Sequence, residues 1–105
     1  MVIEWLRFRV ASESREKFIQ KDEEIWTTAL STYPGFLGKE VWIEPDAPNE
    51  VICTIRWQTR SEWKSIPVED LAGIEMKFSQ EMGKVKYKML ESKEYQIRKF
   101  PLPRT

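Results

Sequence analysis

The order of two hydrophobic periodicities along the chain most constrains what it can fold into. Residues 2–10 alternate, with Leu6, Phe8 and Val10 on one face and further large apolar groups on the other. A two-residue period is typical of β-strands, because successive side chains point to opposite faces. The same period recurs over residues 39–44, 51–58 and 93–100. The sequence therefore predicts four strands.

Two longer segments carry the helical period instead. Apolar side chains recur every three or four residues over 13–32 and 68–82. Pro34 follows the first segment and Gly83 the second, and both residue types commonly end helices. Residues 84–91 have no clear period, and we interpret them as a loop or an irregular strand.

The resulting order, β-α-β-β-α-β, predicts an α+β fold of the ferredoxin-like type. In that fold a four-stranded antiparallel sheet carries both helices on one face, and right-handed crossovers place the first and third strands in the centre. We expect a single domain over residues 1–100. Residues 101–105 are predicted to form an extended tail, because Pro101 and Pro103 cannot donate to a strand ladder.

The sheet face turned away from the helices carries both large apolar and charged side chains. Its most prominent members are Trp5, Arg7, Trp42 and Arg56. Exposed tryptophans are costly in water, and a patch with both charge signs suits a two-fold interface. We predict a homodimer whose two sheets pack face to face as a barrel, with the arginines paired to Glu40 and Glu44 across the interface. The alternative is a monomer whose tryptophans lie flat under arginine stems.

Composition excludes several functional classes. The chain has no His, which excludes His-based metal sites, His general bases and an axial His for haem. A single Cys forms no internal disulfide or thiolate cluster and, without an export signal, favours the cytosol. Lys plus Arg and Asp plus Glu both number 17, so neither nucleic acid nor an anionic membrane is an expected partner. We expect no metal and no cofactor, and no segment long and apolar enough to span a membrane.

Asp22 is the candidate catalytic residue. It lies four residues after Phe18 and four before Trp26, inside the apolar stripe of the first predicted helix. A carboxylate buried there has a raised pKa and can accept a proton from an acidic substrate. The alternative is a carboxylate at the rim, paired with Lys39 or an arginine.

Aromatic side chains around Asp22 are candidates for the wall of a ligand pocket. Three tryptophans and a tyrosine offer flat surfaces that stack on an aromatic ligand: Trp26, Trp57, Trp63 and Tyr95. Ordinary core packing is the alternative for each of them. Cys53 lies on an apolar strand face and is interpreted as a small buried hydrophobe rather than a nucleophile.

Several glycine and aromatic positions resemble the antibiotic-biosynthesis monooxygenase-like group of dimeric α+β barrels. The resemblance extends over about residues 2–100. It is carried by Tyr33-Pro34-Gly35-Phe36-Leu37-Gly38, by Trp42, by the turn from Pro45 to Asn49, and by Trp57 and Trp63. Asp22-x-x-x-Trp26 and Phe36-Leu37-Gly38-Lys39 look most like a branch of that group for which no particular reaction is implied.

The resemblance implies a dimer with a small pocket between helices and sheet in each subunit. Catalytic members of the group oxygenate polycyclic phenols with O₂ and without metal or flavin, because the substrate donates the electron. Haem-degrading members use a His ligand, which this chain lacks. Two hypotheses follow. The first is a homodimer that binds a small aromatic or hydrophobic molecule and acts as a cofactor-independent monooxygenase. The second is a non-catalytic dimeric interaction or regulatory module.

Overall fold

Four antiparallel strands form one sheet in this computed structural model, which describes residues 1–99. The strands are β1 (Val2–Val10), β2 (Phe36–Trp42), β3 (Glu50–Trp57) and β4 (Tyr87–Gln96). Their order across the sheet is β2-β3-β1-β4, so the first and third strands are central, as predicted. The predicted tail, residues 101–105, lies outside the described residues.

The helical segments fall between β1 and β2 and between β3 and β4. The first is a continuous run made of a 3₁₀ turn (Ser12–Ser14), α1 (Arg15–Lys21), a π-helical segment (Asp22–Thr27) and α2 (Thr28–Leu30). The second comprises α3 (Arg60–Lys64) and α4 (Val68–Met82). This order confirms the ferredoxin-like prediction, and α4 has the predicted bounds. Within residues 1–99, no helix has the length and apolar character needed to cross a membrane.

Two β-bulges move the edge strands away from their predicted bounds. β2 spans Phe36–Trp42 rather than 39–44, and Leu37 is the extra residue between the pairs that Phe36 and Gly38 make with β3. β4 spans Tyr87–Gln96 rather than 93–100, and Leu90 is extra between the residues that face Arg7 and Phe8. A bulge shifts the alternation by one residue. Because of the second bulge, the sequence over residues 84–91 shows no regular two-residue alternation.

The core lies between the sheet and the helices. Phe18 of α1 and Phe78 of α4 pack edge to face, with ring centroids 5.3 Å apart, and both are almost fully buried. Below them the strands contribute a buried apolar layer that includes Val10, Val51, Cys53, Ile55 and Trp57. Aromatic packing of this kind adds to the free energy gained by burial alone.

Gly35 makes the tight entry into β2. Its φ of +86° lies in the left-handed region, and its carbonyl accepts a 2.7 Å hydrogen bond from the Gln58 backbone N–H. A Cβ at this position would lie 2.7 Å from Cβ of Glu62, at the start of α3. Glycine is therefore required here by both conformation and space.

We predict that Gly35→Ala lowers the free energy of unfolding by about 1–3 kcal/mol, because it adds backbone strain and a steric clash. Gly73→Ala is the matched control. Gly73 is exposed within α4, and a Cβ there would meet no atom within 4 Å. That variant should gain about 0.5–1 kcal/mol. Urea unfolding of both variants measures the difference, and equal effects would contradict this view of the turn.

Candidate functional site

A cavity of about 200 Å³ lies between the helices and the sheet. Its wall is mainly apolar and aromatic, and both helical segments and all four strands contribute to it. The aromatic lining residues are Phe8, Phe18, Trp26, Trp57, Trp63, Phe78 and Tyr87. A few polar side chains interrupt this wall: Glu4, Asp22, Lys39, Cys53 and Glu75. An apolar enclosure with few, convergent polar groups is the usual form of a small-molecule site.

Asp22 and Lys39 form a buried ion pair at one side of the cavity. Nζ of Lys39 donates a hydrogen bond to Oδ2 of Asp22, and the two side chains are 3% and 8% exposed, respectively. Burial raises the pKa of Asp22 above its ordinary value, and the Lys39 ammonium opposes that rise. The carboxylate is therefore buried with a raised pKa, as the first interpretation expects, and is paired with Lys39, as the alternative expects.

Local helix geometry places Asp22 at the cavity. Asp22 is the first residue of the π-helical segment, and Trp26, four residues later, also lines the cavity. A π-helical turn contains one more residue than an α-helical turn, and such turns occur frequently at functional sites. The hydroxyl of Thr28 donates to the carbonyl of Glu23 and so supports the widened turn.

Glu4 is a cavity residue that the sequence analysis did not single out. Nε1 of Trp57 donates a 3.3 Å hydrogen bond to Oε1 of Glu4. Burial raises the pKa of Glu4, while the indole N–H and the nearby lysines Lys64 and Lys39 oppose that rise. A signal was present: in the alternation of β1, Glu4 falls on the same face as Leu6 and Phe8.

Four of the five predicted site residues meet at this cavity. Asp22, Trp26, Trp57 and Trp63 all line it. Tyr95 does not, because it lies opposite Ile3 on the other face of the sheet and is 48% exposed. The bulge at Leu90 reverses the alternation of β4, so Tyr87 reaches the cavity instead.

Cys53 is buried at the cavity wall. Burial raises the pKa of its thiol to about 12, so the group stays protonated at neutral pH. This supports the interpretation of Cys53 as a buried apolar side chain rather than a nucleophile.

Among residues 1–99, no group of three His, Cys, Asp or Glu side chains is arranged to hold a metal ion.

The opposite face of the sheet carries the residues predicted for the dimer interface. Trp5 lies between Arg7 and Lys93, each 5.2 Å from its ring, and Trp42 is 46% exposed. Arg7 and Arg56 each have acidic partners within one chain. Arg7 binds Glu50 at 2.6 Å and Glu91 at 2.9 Å, and Glu44 lies 3.8 Å from it. Arg56 approaches Glu40 to 3.7 Å. Neighbouring strands bring these charges together, so they need no second subunit.

We predict that Lys39→Met lowers the free energy of unfolding by about 3–5 kcal/mol near pH 8, because it leaves the Asp22 carboxylate buried without a cation. Without the ammonium, burial holds the pKa of folded Asp22 further above its value in the unfolded chain. Stability is then lost as the pH rises, so the deficit should be smaller at pH 4 than at pH 8. Asp22→Asn/Lys39→Met should recover much of the loss.

Lys77→Met, at an exposed position of α4, is the control and should change stability little. Chemical unfolding across this pH range measures the effect. A Lys39→Met deficit that does not depend on pH would show that the pair is not a buried ion pair.

Comparison with known proteins identifies the family of this chain and several structures with the same fold. The profile of the antibiotic biosynthesis monooxygenase (ABM) family matches residues 1–65. A monooxygenase from the gene ActVA-Orf6 of Streptomyces coelicolor, solved with the ligand nanaomycin D, superposes with a TM-score of 0.70 at 16% identity. The match covers 98% of this chain and 92% of that one.

Two further structures share the fold. HapK from Hahella chejuensis gives a TM-score of 0.69 at 14% identity, with 98% and 99% of the two chains covered. SnoaB, a cofactor-independent oxygenase from Streptomyces nogalater, gives 0.65 at 16% identity, with 94% of each chain covered. Comparison with curated protein sequences gives no match. The family profile spans more than half of the chain, and the chain therefore belongs to the antibiotic biosynthesis monooxygenase family.

Proposed function

We propose that this protein binds a small aromatic molecule in the cavity between helices and sheet and oxygenates it with O₂, without a metal or an organic cofactor. The observation that carries the proposal is a buried carboxylate, Asp22, at the wall of an aromatic cavity. Trp26, Trp57 and Trp63 offer flat surfaces on which an aromatic ring stacks. The structural similarity to SnoaB, a cofactor-independent oxygenase, and to the ActVA-Orf6 monooxygenase solved with nanaomycin D supports the same reaction class.

Asp22 supplies the base in this proposal. Its raised pKa makes the carboxylate a stronger proton acceptor than an exposed aspartate, so it takes the hydroxyl proton of a one- or two-ring hydroxyarene such as 1-naphthol. The Lys39 ammonium lies against the same carboxylate and stabilises the negative charge that develops on the substrate oxygen. The pair thus serves both the removal of the proton and the stabilisation of the anion.

The deprotonated substrate is the electron donor for O₂. One electron passes to O₂, and the resulting radicals recombine to form a carbon–oxygen bond and a hydroperoxide. Loss of water, with cleavage of the O–O bond and removal of the hydrogen on the same carbon, leaves a new carbonyl. For 1-naphthol, one oxygen atom enters the product 1,4-naphthoquinone and the other leaves as water. The apolar wall keeps bulk water from the intermediate.

The second candidate is a non-catalytic ligand-binding or regulatory module. One observation favours it: the Asp22 carboxylate already has a cation against it, which lowers its tendency to take a proton. Under this alternative the protein binds the same aromatic probes but consumes no O₂. Oxygen uptake therefore separates the two candidates.

We predict that metal-free protein consumes about one O₂ per 1-naphthol, and that Asp22→Asn lowers the rate by about 100-fold or more, the usual contribution of a general base. Asparagine keeps an oxygen for Lys39 but removes its counter-charge, so the variant should lose stability while it still binds 1-naphthol. The rates are therefore compared under conditions in which both proteins are folded. Asp46→Asn, in an exposed turn, should leave the rate unchanged. An oxygen electrode measures the rate. Binding without O₂ uptake would favour the second candidate, and equal rates in Asp22→Asn and the unsubstituted protein would exclude Asp22 as the base.

We also propose a homodimer formed through the outer face of the sheet, with Trp5, Arg7, Trp42 and Arg56 at the interface. Trp42 is 46% exposed and Tyr95 48% exposed on this face, and Ile3 and Ile52 are partly buried there. The intrachain pairs of Arg7 neutralise its charge, which reduces the cost of covering the face. Apolar area with locally balanced charge favours a self-complementary contact.

We predict that sedimentation at micromolar concentration gives twice the chain mass of 12.6 kDa, and that Trp42→Glu gives the monomer mass. The glutamate would be desolvated in an apolar contact, which is strongly unfavourable. Val68→Glu is the control, because Val68 is 77% exposed on α4 and lies on the helical side of the molecule. A monomeric unsubstituted protein, or two variants with the same mass, would rule out this interface.

We infer a cytosolic location as well. The chain has a single Cys, which is buried and forms no internal disulfide, and such cysteine usage is typical of proteins in a reducing compartment.

A further inference from the structure

Glu4 lies across the cavity floor from the Asp22–Lys39 pair. Lys39 of β2, Ile55 of β3 and Glu4 of β1 are direct register neighbours, so all three lie in one row on the helical face of the sheet. Glu4 is two strands away from Lys39, about 10 Å between their backbones. Trp57 holds the carboxylate through its indole N–H. The reaction proposed above does not use this group.

The charges around the cavity differ between its two sides. Asp22 has the Lys39 ammonium against it, and Glu75 accepts a 2.8 Å hydrogen bond from the Tyr87 hydroxyl. Within residues 1–99, no ammonium or guanidinium lies within 4.0 Å of the Glu4 carboxylate. The Lys64 ammonium, which lies 3.9 Å above the Trp63 ring, acts on Glu4 only from a distance.

This arrangement penalises an anion placed beside Glu4. In an apolar enclosure two like charges repel each other more strongly than in water, whereas a hydroxyl donates a hydrogen bond to the same carboxylate. Discrimination of this kind depends on rejection of the wrong ligand as much as on attraction of the right one.

The cavity volume limits the ligand's size. An engineered protein cavity of about 150 Å³ accepts benzene, and the cavity here measures about 200 Å³. One ring or two fused rings therefore match the space. A two-ring ligand whose first hydroxyl meets Asp22 and Lys39 directs its far edge along the row towards Glu4.

We propose that Glu4 is a specificity-determining residue of this cavity. It selects one- or two-ring hydroxyarenes that carry a hydrogen-bond donor at the edge away from Asp22, and it rejects ligands that carry a carboxylate there. The inference rests on the proposed function only in assuming that the ligand occupies this cavity. It requires no turnover.

Two naphthalene probes that differ at the far edge test the inference. The first is 2,6-dihydroxynaphthalene, with a donor at both edges, and the second is 6-hydroxy-2-naphthoate, with a carboxylate at one. Calorimetry at pH 8 gives the ratio of their dissociation constants. We expect the unsubstituted protein to favour the diol by at least about tenfold, the discrimination that one hydrogen bond to a charged group provides. Glu4→Gln should reduce the ratio by at least about tenfold, chiefly by tighter binding of the naphthoate.

Two further variants test whether the preference for the diol depends on the charge of the Glu4 side chain. Glu4→Asp keeps the carboxylate and should keep the preference for the diol. Glu16→Gln, an exposed change of the same chemistry on α1, should leave both affinities unchanged. Equal changes in the two affinities in Glu4→Gln, or loss of the preference in Glu4→Asp, would overturn the inference and leave the proposed function intact. If neither probe binds the unsubstituted protein, the inference and the proposed function both fail.

Discussion

The buried ion pair between Asp22 and Lys39 is the interaction on which the candidate site depends. It joins the helical run that follows β1 to the edge strand β2, and it does so at the cavity wall. Removing two charges from water costs several kcal/mol per ion, and an apolar pair of similar volume often stabilises a fold equally well. The pair is therefore weak evidence for stability, which is consistent with the role as a base that we propose for Asp22. The π-helical segment that begins at Asp22 adds a second local departure from regular structure at the same point.

The sheet separates two surfaces that differ in character. On the helical side, three tryptophans, Trp26, Trp57 and Trp63, surround an enclosed space. On the outer side, Trp5 lies between two cations and Trp42 is exposed. One alternating strand pattern generates both surfaces, because each strand sends neighbouring side chains to opposite faces. The ligand binding and the self-association that we propose therefore use opposite faces of the same four strands.

Predictions from the sequence were correct for features that local hydrophobic periodicity determines. They were wrong for features that the pairing of neighbouring strands determines. The order of elements and the bounds of α4 follow from patterns within single segments, and the central strands follow from that order and the right-handed crossover rule. The bulges at Leu37 and Leu90 are defined by the neighbouring strand, so the bounds of β2 and β4 were wrong. The second bulge also reversed the face assigned to Tyr95. Asp22 was found because it interrupts an apolar stripe, and Lys39 was already considered as its partner. Glu4 was missed although it interrupts the strand pattern of β1, and its hydrogen bond with Trp57 joins residues 53 positions apart.

The five tryptophans allow one direct test of whether the ligand binds on the helical side of the sheet or on its outer face. Protein labelled with 5-fluorotryptophan gives one ¹⁹F resonance per tryptophan, and single Trp→Phe variants assign them. Titration with 2-naphthol should shift the resonances of Trp26, Trp57 and Trp63, which line the cavity, and leave those of Trp5 and Trp42 in place. Shifts confined to Trp5 and Trp42 would place the ligand on the outer face of the sheet and contradict the account.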